Sequence, residues 1–108
     1  MKTFVVMSKL SPQGGSLIEV ASKMKDGAAA SRAWVNRVKE QVPEVRFLAH
    51  YALLGPYDFM DIYEAPDEDS AAKVSIICGS DSAFHVESWT AIPDQRLVQL
   101  LGEIHGDE

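Results

Sequence analysis

Two strand-like runs stand almost end to end in this chain, and they limit its fold more than any other feature. "VRFLAHYALL" (45–54) is rich in β-branched and aromatic residues, and "DFMDIYEA" (58–65) alternates apolar and polar positions. Only Gly55, Pro56 and Tyr57 lie between them for a turn. Glycine can supply a positive φ and proline cannot continue a central strand, so the pair predicts a tight antiparallel hairpin.

Each side of the hairpin repeats one pattern. Upstream, "TFVVM" (3–7) reads as a short buried strand, and "SPQGGS" breaks it. "SLIEVASKMK" (16–25) is weakly amphipathic, a short helix or an ordered loop. Asp26 looks like an N-cap, and Ala30, Trp34, Val38 and Val42 then recur at helical spacing up to Pro43. Downstream, Asp67 is a natural N-cap for a helix through "EDSAAKVSIIC" that Gly79 is expected to close. "AFHVESWTAI" (83–92) is a fourth strand, and Pro93-Asp94 opens a short terminal helix with Leu97, Leu100, Leu101 and Ile104 on one face.

The order is therefore βαββαβ plus one helix. Two right-handed β-α-β halves sharing an antiparallel sheet give an α+β, ferredoxin-like fold, with strand order 4-1-3-2 and both helices on one face. All 108 residues form one domain. Apolar residues occur on both faces of the strands, and an uncovered apolar face is costly in water. Homodimerisation is the expected remedy.

Composition removes several function classes. A net charge of −6 without a Lys/Arg cluster repels a phosphate backbone, so nucleic acid is not an expected partner. The amino terminus is too briefly apolar for a signal-peptide core or a membrane span. Cys78 is the lone cysteine and suits a reducing compartment, so the cytoplasm is expected. Gly14-Gly15 lacks the spacing of a nucleotide-binding loop.

The hairpin sets a register that sorts the polar residues. Leu53 faces Asp58, Tyr51 faces Met60 and His50 faces Asp61, with Tyr51 and His50 on opposite faces. A carboxylate-oriented imidazole can act as a general base, although such a pair is more often a mutually satisfied contact at an interface. Tyr57 could donate to an oxyanion while Asp58 takes a proton; the plainer reading is a packed aromatic and a carboxylate that accepts turn amides. On strand four His85, Glu87 and Trp89 share a face, an arrangement that can supply two metal ligands. Strands two and four lie at opposite edges, roughly 14 Å apart at sheet spacing, so His50 and His85 cannot share an ion within one chain. No metal and no cofactor is expected. Trp34 is most simply core, with a second reading as the wall of a ligand cleft.

The segment "YALLGPYDFMDIYEAPDE" resembles the GYD domain family, whose Gly-x-Tyr-Asp signature corresponds to Gly55, Tyr57 and Asp58. The likeness runs through Glu64-Ala65-Pro66-Asp67 and Gly79 into Trp89-Thr90-Ala91, and back to "LSPQG". It implies a ferredoxin-like domain that pairs into a dimeric α+β barrel. That architecture also serves cofactor-independent oxygenases, haem-binding enzymes, lactone isomerases and ligand sensors, so it does not fix a function. The expectation is a homodimeric module that binds a small apolar or aromatic ligand or a protein. Its candidate ligand contacts are Trp34, Tyr51, Asp61, His85 and Trp89. The alternative is an oxygenase or isomerase that needs no cofactor and uses Tyr57, Asp58 and His50 in a pocket between sheet and helices.

Overall fold

The computed structural model describes residues 1–10, 33–81 and 83–106. The weak helix or loop at 16–25, the Gly14-Gly15 pair and the Asp26 cap lie outside them. Four strands, β1 (Lys2–Lys9), β2 (Arg46–Ala52), β3 (Phe59–Ala65) and β4 (His85–Ala91), alternate with α1 (Ala33–Gln41) and α2 (Glu68–Asp81), and α3 (Asp94–Ile104) follows. The sheet is antiparallel throughout, in the order β2-β3-β1-β4. This is the expected 4-1-3-2 arrangement read from the other edge.

The core forms where the 3.6-residue period of the helices meets the two-residue period of the strands. α1 contributes Trp34, Val35 and Val38, and α2 contributes Ala71, Val74, Ile77 and Cys78. The sheet answers with Phe4, Val6, Tyr63 and Ala65, all buried. Trp34 stands edge-on to Phe47, and Phe47 and Phe4 both lie against Tyr63. The Tyr63 hydroxyl donates to the Ala71 carbonyl, which ties β3 to α2, and burial pushes its pKa well above the ordinary phenol range.

Helix ends follow local chemistry. The Asp67 carboxylate accepts the Ser70 N–H at 2.8 Å, as an N-cap should, and that bond holds its pKa below the usual carboxylate range. Arg37 on α1 reaches Asp81 at the end of α2 at 2.7 Å. Gly79, expected to stop α2, does not: the helix passes through it to Asp81, and its φ is not positive. The glycine lies where α2 runs close to β4, and a Cβ there would meet Val86 Cγ2 at 3.5 Å, an ordinary contact. Gly79→Ala is therefore expected to raise stability by about 0.5–1 kcal/mol, because helix propensity improves without a clash. Urea unfolding would measure it.

The hairpin keeps the expected register: Ala49 pairs with Ile62, His50 with Asp61, Tyr51 with Met60 and Ala52 with Phe59. Two details differ from the sequence reading. Between Phe47 and Ala49 the register shifts, leaving Leu48 as a bulge on an edge strand. Gly55 does not use a positive φ, and nothing lies within 4 Å of where its Cβ would be. The strands end earlier than expected, and the turn closes through the Leu53 N–H on the Asp58 carbonyl at 2.8 Å. A loop of this width reverses without a left-handed residue. None of the described helices is long and apolar enough to cross a membrane.

Candidate functional site

The strand parity that builds the core also divides the candidate residues between two faces. His50 and Asp61 share the helix-covered face with Tyr63, whereas Tyr51, His85 and Trp89 share the opposite one. His50 Nδ1 lies 3.0 Å from Asp61 Oδ1, and the imidazole stacks on Phe59 at 5.3 Å. Asp61 is 1% exposed. A buried carboxylate needs partners of this kind, and the imidazole gains a fixed orientation from it. Trp34 is on the same side of the sheet, in the core.

Tyr57 and Asp58 are neighbours in sequence that part company in space. Asp58 is buried at the end of β1. Its Oδ2 accepts the Leu10 N–H at 2.8 Å, and its own N–H donates to the Ser8 carbonyl at 2.9 Å. The residue thus satisfies the backbone where β1 leaves the sheet. Tyr57 instead turns over the opposite face and spans β1, and its hydroxyl donates to Glu87 Oε2 on β4.

Glu87 gathers the remaining candidates on that face. His85 Nε2 donates to its Oε2 at 3.1 Å, and Trp89 Nε1 donates to its Oε1 at 3.2 Å. The Trp89 ring meets the Tyr57 ring edge-on at 6.3 Å, and the Lys9 ammonium lies 5.2 Å from the Tyr57 ring centroid on the other strand of the pair. The i, i+2 alternation in "HVESW" had placed His85, Glu87 and Trp89 together. What one sequence could not show was Tyr57 arriving from the hairpin, because that contact crosses β1.

Electrostatics separate the two acidic protons of this cluster. Hydrogen bonds from Tyr57, His85 and Trp89 hold the Glu87 carboxyl below its usual range, the Tyr57 bond being the largest cause. The same bond, with some desolvation, pushes the Tyr57 phenol above its ordinary value. At neutral pH the pair is a phenol and a carboxylate, and the widened gap between them disfavours proton exchange. The arrangement suits a fixed negative charge framed by aromatic rings. Among the described residues, no group of three or more His, Cys, Asp or Glu side chains is arranged to hold a metal ion.

Comparison with known proteins adds a lineage to this geometry. The sequence pattern of the GYD domain matches residues 4–101. A protein from Thermus thermophilus, described as a glutamine synthetase and cystathionine beta-lyase binding protein, is 32% identical over 102 residues. The match covers 94% of this chain and 99% of that protein. With a hairpin that carries the signature tyrosine and aspartate in a βαββαβ sheet, and a match over nearly its whole length, the chain belongs to the GYD domain family.

Proposed function

We propose that this protein is a homodimeric interaction module of the cytoplasm that docks on partner enzymes and holds a small ligand on its open sheet face. The observation that carries the reading is that face itself. Tyr51 and Trp89 each expose about half of their surface there, 52% and 47%. Aromatic residues so placed are the usual anchors of protein interfaces. α3 adds to the same tendency: none of its residues is buried, and Leu97, Val98, Leu101 and Ile104 are all exposed. An isolated helix of this length is marginal in water, so a covering partner would stabilise it.

The partner class draws on the Thermus relative, which is described as binding two enzymes. Binding is favoured over the oxygenase or isomerase alternative because the Asp58 carboxylate is engaged by a backbone amide, and because Tyr57 turns to Glu87 on the sheet face opposite His50.

Sedimentation equilibrium at micromolar concentration tests self-association; a mass of twice 11.9 kDa is expected. A mass of one chain would remove the dimer from the reading. Surface plasmon resonance against purified glutamine synthetase and cystathionine β-lyase from the same organism tests the second half, with saturable binding to at least one of them expected.

A further inference from the structure

We propose that the Tyr57–Glu87–Trp89 cluster on the open sheet face is a seat for the primary alkylammonium group of a small ligand. This deepens the ligand-binding part of the function above, but it rests on residues of a single chain.

Three observations point to a cation. First, the cluster combines a carboxylate with two aromatic rings, the acceptor set that attracts an organic ammonium through charge and ring quadrupole together. Second, an ammonium already lies over one of the two rings: Lys9 of the same chain stands 5.2 Å from the Tyr57 ring centroid. The patch therefore accepts this chemistry, and Trp89 offers a second ring with 47% of its surface in contact with solvent. Third, acceptor capacity remains. Among the described residues, Glu87 Oε2 takes two donors and Oε1 takes Trp89 Nε1, while a carboxylate has about four lone-pair positions. The side chain is 37% exposed, so a ligand can reach it.

The hydrogen bonds also keep the seat in shape before anything binds. Tyr57 and His85 fix one carboxylate oxygen and Trp89 fixes the other, so little ordering is left for a ligand to impose. The opposing influences are the positive charge of Lys9 and the imidazole of His85, which face each other across β1 and β4. The net charge of −6 on the chain favours the approach of cations.

The test is a titration of the full chain in mildly alkaline buffer, read from the tryptophan indole N–H resonances. There are two tryptophans, and Trp34 is 3% exposed, so the solvent-facing signal belongs to Trp89. Trp89→Phe assigns it. The probes are n-butylammonium, the neutral 1-butanol and the anionic butyrate. Butylammonium is expected to move the Trp89 resonance to saturation, with a midpoint of about 1–10 mM for one cation–π contact and one ion pair. Glu87→Gln should weaken binding about tenfold, and Lys9→Met should tighten it about threefold by removing the resident competitor. Equal shifts from butanol, preferential shifts from butyrate, or an unchanged midpoint in Glu87→Gln would each overturn the proposal. Sedimentation of the same samples reports the dimer separately, so failure of one reading does not masquerade as failure of the other.

Discussion

Asp58→Ala is expected to lower the melting temperature by roughly 5–15 °C. The carboxylate accepts the Leu10 N–H at 2.8 Å and is 3% exposed, so alanine leaves an amide without its acceptor where β1 ends. Orphaning such a group costs about 1–3 kcal/mol, and each kcal/mol moves Tm by about 4–8 °C in a domain of this size. Asp58→Asn keeps an oxygen in the same place and should recover most of the loss. The pair of variants therefore separates backbone bonding from charge. Were Asp58 instead reserved for chemistry, alanine would leave the thermal transition where it is. Differential scanning calorimetry on both variants decides the matter.

Trp34→Ala should have a larger effect, about 3–5 kcal/mol. The indole is buried in the core and stands edge-on to Phe47, itself against Tyr63, so its loss opens a cavity between α1 and the sheet. That is a large share of the 5–15 kcal/mol that holds a typical domain together. The urea midpoint should fall steeply, and the variant should unfold partly at physiological temperature. A tryptophan that only walled a ligand cleft would give up much less, since the surrounding side chains would already face solvent. Trp34→Phe, which keeps an aromatic plug, should cost clearly less than alanine.

These two residues also show what the sequence can and cannot reveal. Trp34 was legible because helical periodicity is a local signal: Trp34, Val38 and Val42 recur every fourth residue, and all three are buried. The hairpin register was legible for the same reason, since a short turn fixes every pair that follows it, down to His50 against Asp61. The bulge at Leu48 was not, because it depends on how an edge strand accommodates twist rather than on any turn residue. Gly79 misled because a glycine that ends a helix and one that sits inside it are the same letter; here α2 runs through it to Asp81. The divergence of Tyr57 and Asp58 was hidden by the same kind of distance. Their partners, Glu87 and Leu10, lie 30 and 48 residues away along the chain.

The central position of β1 carries a consequence for how the chain acquires this structure. β1, which precedes the other three strands along the chain, pairs with β3 on one side and with β4 on the other, where Thr3 meets Ala91. Neither bond ladder can close until most of the chain exists, while the β2–β3 hairpin needs only its own turn. Long loops must be closed before the sheet is rewarded for it, which slows folding relative to a helical bundle of the same size. Until β4 arrives, β1 has one open edge, and a nascent chain in that condition has an unpaired, apolar strand to protect.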